Sequence, residues 1–505
     1  MKNRWSCLGL LGLIFYGTHC SPPPLDLGPA PIVQDISVHQ SKTTGGIPAT
    51  LTGQNFLDGA VVTFGDKASP SVQVVSPTQI QLVIPQNDYA QGPSVITVTH
   101  PDHKSGSNGQ IFSYIASQIG FEIRSNSVIP APYDPTGVAL GDLDQDGRLD
   151  IAFTNVHAPN CATAPSSSTV LCNSLGIAYG SISGQFTPAQ YLSTGQNPED
   201  LLLGDFNKDG LLDVATLNNR GTEISVLQNT GIKTFAAQQP YGPKTQSLQA
   251  FTKGDLDGDG TFDLVAFDNK TKPRAVAYFG DGNGQFGAET ELLTSGAGGL
   301  IFSVAIADMN GDNKNDIIMA NVTNGTVSIF FNMGNKSFSA ENIFITGSVH
   351  SLAIADMNGD GVLDVLTAGI ESGKQKVGFL KGFFDNGNFK LAAPVFFSTV
   401  DSYTTPVTYP RVELKIGDFD QDGDLDVAVT NAYGRSVNTF SSDGQGNFTL
   451  ANVLQISFQP RSLAVGDLDN DGALDLLIGN YDPDDGTGAD QINKRNLMIL
   501  YNHSK

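Results

Sequence analysis

The chain has 505 residues, 51 acidic against 28 basic side chains and a formal net charge of −23. That balance excludes a nucleic-acid binder, which needs a basic face to displace the counterions of a phosphate backbone. Glycine is abundant, at 56 residues, and strand-like apolar runs are frequent, so the chain reads as folded β structure with room for two or more domains.

Residues 1–20 have the form of an export signal. Lys2 and Arg4 precede an apolar run from Leu8 to Tyr16, which is too short to span a bilayer. No later segment is apolar enough to span either. Cys20, followed by SPPPLDLGPAP, resembles the lipidation cysteine of a bacterial lipoprotein, although His19 stands where that class has a small residue. Two outcomes stay open: a lipid anchor on Cys20, the membrane contact then being through that anchor, or cleavage nearby. Cys7 leaves with the signal. Cys161 and Cys172 share one loop and are expected to form a disulfide in an oxidising compartment, two free thiols being the alternative. An exported protein, released or held at the cell surface or outer envelope, is the expectation.

Residues 21–30 are a Pro-rich linker. From 31 to 116, short alternating runs such as GGIPATLTGQNF, GAVVTFGDKAS and QIQLVIP are separated by Gly, Pro and Asn turns, the pattern of a small β-sandwich. These runs, with the closing FSY, resemble the immunoglobulin-like IPT/TIG domain. The resemblance implies a spacer or interaction module and assigns no chemistry.

From 118 to 505 the chain repeats. Seven loops have the form D-x-[D/N]-x-D-[G/N]-x-x-D, with successive starts 63, 50, 53, 48, 62 and 49 residues apart. They hold 26 of the 51 acidic side chains, so the acidity is local. The oxygens at loop positions 1, 3, 5 and 9 suit one hard cation, as calcium takes six to eight oxygens at ~2.4 Å. The candidate ligands are Asp142, Asp144, Asp146 and Asp150; Asp205, Asn207, Asp209 and Asp213; Asp255, Asp257, Asp259 and Asp263; Asp308, Asn310, Asp312 and Asp316; Asp356, Asn358, Asp360 and Asp364; Asp418, Asp420, Asp422 and Asp426; and Asp467, Asp469, Asp471 and Asp475. Up to seven Ca²⁺ are expected, in a mainly structural role rather than as a switch. Asn at position 3 keeps an oxygen and loses charge, so three sites are expected to bind more weakly. An EF-hand needs a bidentate Glu at position 12, where these loops have Phe153, Thr216, Ala266, Met319, Thr367, Val429 and Ile478.

Each loop joins two apolar runs, and a third run and a G-x-x-F hairpin signal follow. Four antiparallel strands per unit, repeated seven times, predict an all-β chain: a seven-bladed β-propeller behind a small immunoglobulin-like sandwich. The seventh unit stops after its third strand, and residues 120–130 are expected to supply the fourth. These units resemble the FG-GAP/VCBS repeats of integrin α-type propellers. Insertions at 156–173 and 480–496, and the connection FSTVDSYTTPVTYP with Tyr403 and Tyr409, fall on the side away from the acidic loops. The resemblance implies that this is the ligand face, and an extracellular protein or glycan is the expected partner. No nucleophile elbow, Walker loop or zinc set is present, and the seven histidines, His100 and His103 included, are expected at the surface. A non-enzymatic binder is therefore expected; a polysaccharide lyase or hydrolase, or a purely structural envelope protein, is the alternative.

Overall fold

The structure is a computed structural model. It describes residues 27–503 except 43–45, 66, 86–91, 110, 116–118, 125–126, 132–133, 157–172, 182–183, 220–222, 243–247, 269–273, 295–298, 341, 348, 372–373, 403–410 and 481–495. Its regular structure is β throughout, and the chain divides into two compact units, Met1–Ala116 and Ser117–Lys505.

The first unit holds two four-stranded sheets. One orders Ile32–Ile36, Pro48–Gln54, Gln79–Val83 and Val72–Ser76; the other orders Ser105–Asn108, Ile96–Thr99, Val61–Phe64 and Lys67–Ala68. Side chains alternate across each strand, so Ala49, Leu51, Val62, Phe64, Ile80, Ile96 and Val98 point inward into one core with Phe56 and Phe112. Phe64 and Phe112 meet edge to face at 5.0 Å. Gly53 is required by close approach: a Cβ there would lie 2.0 Å from the Ile32 carbonyl oxygen and 2.5 Å from the Phe56 ring. One expectation fails here. His100 is only 2 % exposed, because its strand end is folded under a turn in which its backbone N–H donates to Lys104 O at 2.9 Å.

Among its described residues the second unit carries seven sheets of four or more strands, and four two-stranded hairpins beside them. Six are antiparallel and four-stranded. They begin with Val138–Gly141, Pro198–Gly204, Leu248–Gly254, Ile301–Ala307, Ser351–Ala355 and Leu414–Gly417. The seventh orders Pro460–Gly466, Asp475–Asn480 and Asn496–Asn502, and its outer edge comes from the start of the second unit. Phe121 and Glu122 pair with Asn502 and Tyr501, and Val128–Pro130 pairs with Met498, Leu497 and Asn496. An unpaired outer edge on Asn496–Asn502 is thereby covered.

The second strand of each sheet lies between two neighbours. Asp150–Asn155, Asp213–Asn218, Asp316–Asn321, Asp426–Asn431 and Asp475–Asn480 are buried at every residue. That is why they read as unbroken apolar runs rather than alternating ones. Cores form between each sheet and the next, and Leu477, Leu497, Ile499 and Tyr501 of the seventh pack on Ile151, Phe153 and Ala178 of the first. Val138–Gly141 also touches Pro460–Gly466, so the series closes on itself.

Candidate metal centres

Every acidic loop joins the first strand of a sheet to its second, and the local reason is the same in each. The position-1 carboxylate accepts backbone N–H groups from positions 5 and 6: Asp146 N and Gly147 N donate to Asp142 at 3.1 and 2.9 Å, and Asp422 N and Gly423 N to Asp418 at 3.0 Å each; in the third loop positions 4 and 6 do so, Gly258 N and Gly260 N donating to Asp255 at 2.7 and 2.8 Å. The position-5 carboxylate accepts the position-7 N–H, as from Arg148 N to Asp146 at 3.0 Å. Two residues per loop take the left-handed backbone. Position 6 is glycine except for Asn313, at φ 62°, and Asn adopts this region more readily than most residues. Position 4 is left-handed as well, at Gln145, Lys208, Gln421 and Asn470. The motif's free choice of residue at position 4 hid that requirement.

Position 9 differs from the others. Asp150, Asp213, Asp263, Asp316, Asp364, Asp426 and Asp475 are all fully buried. Each accepts two backbone N–H groups, one from loop position 2 and one from the residue two beyond the end of the sheet's third strand or, for Asp426 and Asp475, from the residue ending it. Asp150 takes Leu143 N at 2.8 Å and Gly180 N at 2.7 Å; Asp426 takes Phe419 N and Ser442 N, both at 2.9 Å. These aspartates pin the loop to the sheet as well as facing the site. Burial, helped by the neighbouring loop carboxylates, pushes Asp150, Asp213, Asp263 and Asp316 up to about 6. Burial together with Asp420 and Asp422 pushes Asp426 up to about 8, and burial with Asp469 and Asp471 takes Asp475 to about 7.

Four loops bring three carboxylates together with ligand oxygens within 4.8 Å of one another: Asp142, Asp144 and Asp146; Asp255, Asp257 and Asp259; Asp418, Asp420 and Asp426; Asp467, Asp469 and Asp475. These are the four with Asp at position 3. Where Asn replaces it the geometry varies. Asn207 donates from Nδ2 to Asp209 at 2.9 Å, and Asn358 donates from Nδ2 to Asp364 at 2.9 Å, so its oxygen faces a ligand only after an amide flip.

The donor set fits calcium: all oxygen, mostly carboxylate, on a short loop. One atom leaves room for a cation in particular. Asp420 is 1 % exposed, and its Oδ1 is buried with no hydrogen-bond partner. A buried carboxylate oxygen without a donor or cation is strongly disfavoured.

Asparagine residues that the sequence reading missed fasten one loop to the next sheet. Asn229 Nδ2 donates to Leu143 O at 2.7 Å and Leu212 O at 3.2 Å, Asn332 to Leu256 O and Asn315 O at 2.8 and 3.0 Å, and Asn502 to Phe419 O and Leu474 O at 2.7 and 3.1 Å. The available signal was an Asn closing the third apolar run, in VLQN, IFFN and ILYN.

Where the first strands meet, at the end away from the acidic loops, a polar cavity of about 250 Å³ is lined by Asp200, Glu413, Lys415, Arg411 and Arg461 among others. Glu199 Oε2 receives Arg411 at 3.0 Å and Arg461 at 3.4 Å, joining the second sheet to the sixth and seventh. Burial opposes the Glu199 charge, but the two guanidinium groups hold its carboxyl below the usual range. Cys20, Cys161, Cys172, the insertions at 157–172 and 481–495, and Tyr403 and Tyr409 lie outside the described residues.

Loop, sheet and closure together define a repeat protein of propeller type. The FG-GAP-like repeat matches residues 205–266, 255–319, 308–367 and 418–478, and the IPT/TIG domain matches 31–114. The chain thus carries four FG-GAP-like repeats behind an N-terminal IPT/TIG domain, each repeat match running from one acidic loop through the next. No curated protein matches the chain. Among solved structures it is similar to an Agrocybe aegerita lectin that recognises non-reducing terminal N-acetylglucosamine (15% identity, 73% of this chain and 91% of that one, TM-score 0.41). It is also similar to an auxiliary nutrient binding protein of Bacteroides ovatus (13%, 95% and 100%, 0.37) and a Lactobacillus plantarum protein (14%, 80% and 98%, 0.43). Likeness this distant says nothing of ligand or reaction. Among the described residues no helix is long and apolar enough to cross a membrane.

Proposed function

We propose that the second unit is a seven-bladed propeller whose acidic loops hold up to seven calcium ions, mainly as structural ions. The observation that carries the calcium reading is the buried, partnerless Oδ1 of Asp420 beside Asp418 and Asp426. Each ion would neutralise carboxylates that burial has already made costly to ionise, and would hold the first two strands of a sheet at a fixed angle.

The chain is exported and stays at the surface or is released. It serves as a non-enzymatic binder of an extracellular protein or glycan, through the face opposite the calcium loops. Support comes from where the long connections attach. Asn155 and Ser174, joined at 3.0 Å, flank residues 157–172 and end the strands farthest from the first acidic loop, ~20 Å away for a six-residue strand. Long connections on a rigid scaffold are where recognition concentrates. The polar cavity lies at the centre of the same face.

The test is capture by residues 21–505, immobilised in calcium and exposed to a glycan array and to envelope and matrix extracts. A variant with 157–172 and 481–491 shortened is the control. A ligand held by the full chain and lost by the shortened one is expected. Retention by the shortened chain would exclude this face. Turnover of a polysaccharide by the purified protein would exclude a purely binding role.

A further inference from the structure

The calcium loops are alike in sequence and unlike in surroundings, and the difference follows from how the chain closes. In three of the four carboxylate clusters the position-3 aspartate already has a cation from the protein. Lys233 Nζ lies 2.9 Å from Asp144, Lys336 Nζ lies 3.3 Å from Asp257, and the Arg124 guanidinium pairs with Asp469. Lys233 and Lys336 come from the tips of hairpins in the next sheet. These hairpins, Asn229–Gly231 with Thr234–Phe235 and Asn332–Gly334 with Ser337–Phe338, turn through left-handed residues that include both lysines. Each hairpin reaches back across the seam to the loop before it.

The sixth loop has no such neighbour. Its next sheet is the seventh, whose third strand, Asn496–Asn502, is followed at the outer edge by Phe121–Glu122 and Val128–Pro130, and among the described residues no hairpin links the two. Among the described residues no lysine or arginine pairs with Asp418, Asp420 or Asp426. Asp420 Oδ2 accepts a hydrogen bond from Ser441 Oγ at 3.4 Å, and its Oδ1 accepts none. This loop is also the most acidic of the seven, with a fifth carboxylate, Asp424, at position 7. Calcium affinity rises with ligand charge and with site rigidity. A tethered ammonium on a ligand oxygen works the other way, since calcium must displace it.

We infer that the seven sites form an affinity order in which the sixth loop, Asp418–Asp426, takes the first calcium ion and gives up the last. This rests on the calcium reading above. The expected gap between the sixth site and those with a lysine on position 3 is about tenfold in dissociation constant.

The test uses the full chain, residues 21–505, stripped with chelator and given one molar equivalent of calcium chloride. Hydrogen exchange should slow first in the peptide covering 418–426, where the Asp422 and Gly423 amides donate to Asp418. Peptides covering 142–150 and 255–263 should follow only with further equivalents. In equilibrium dialysis, Asp420→Asn should lose the tightest class, Asp257→Asn should keep it, and Lys336→Ala should tighten one of the weaker sites. Protection appearing first in another loop, or a tightest class that survives Asp420→Asn, overturns the inference. Seven equal sites overturn it while leaving the calcium reading intact. No calcium bound at millimolar concentration sinks both.

Discussion

Asn502 offers a direct measure of what holds neighbouring sheets together. Its fully buried amide donates to Phe419 O in the sixth loop and Leu474 O in the seventh, at 2.7 and 3.1 Å. Asn502→Ala deletes both bonds and leaves a buried and a partly buried carbonyl group without this donor. At about 1–3 kcal/mol for each stranded polar group, the loss is about 2–6 kcal/mol. The backbone bond from Asn502 N to Asp475, at 2.8 Å, is untouched, so the effect isolates the side chain. Asn229→Ala and Asn332→Ala remove the same pair of bonds at two other seams and should cost about the same. Asn502→Asp should be worse than alanine, because it faces two carbonyl oxygens with an acceptor. The assay is equilibrium urea unfolding in calcium. An Asn502→Ala midpoint within error of the wild type would refute the claim that this amide fastens the sixth sheet to the seventh. Asparagine is not transferable to the seams that have glycine at this position: a Cβ at Gly180 would sit 2.4 Å from Leu149 O.

Removing calcium with EGTA should lower the melting temperature by many degrees, and an unchanged melt would sink a structural role for the ions. The metal-free protein should be more stable at pH 5.5 than at pH 8.5. The buried aspartates Asp150, Asp475 and Asp426 have folded values of about 6, about 7 and about 8 against ~3.9 unfolded, so the stability they contribute when protonated is lost as pH rises through that window. Calcium should reverse that preference, because protons compete for the same oxygens. A metal-free urea midpoint that rises between pH 5.5 and 8.5 would contradict the assignment. Deleting residues 120–130 should destabilise the second unit far more than deleting 31–115, which thermal unfolding of the two truncations will show. Glu199→Gln should lower stability by about 1–3 kcal/mol by leaving Arg411 and Arg461 without their shared carboxylate, and urea unfolding of that variant reads the loss directly.

The acidic loops were legible because a short acidic turn is a local object. Its spacing, its left-handed sixth position and its flanking apolar runs all lie within about fifteen residues. Repetition then pointed to a repeat architecture, and strand periodicity to its all-β type. Even the unusual pairing of residues 121–130 with Asn496–Asn502 could be anticipated, since the seventh unit is one strand short and another segment has the missing pattern. His100 was misjudged because burial of a lone polar residue near a strand end depends on which turn folds over it. The double role of the position-9 aspartates was missed because their second donor sits 16 to 30 residues away in the chain.

What the sequence determined by itself is therefore the repeating element: strands, acidic turns and the carboxylates in them, all set by short-range geometry and side-chain chemistry. What only the tertiary structure decided is how those equal elements become unequal. Lys233 reaches Asp144 and Lys336 reaches Asp257 only because sheets stack side by side, and among the described residues Asp420 has no such cation because the first strands of the second unit, not a hairpin, lie against the last strand of the seventh sheet. Charge pairing across a seam depends on distances between residues 79 to 89 positions apart, and no local pattern encodes them.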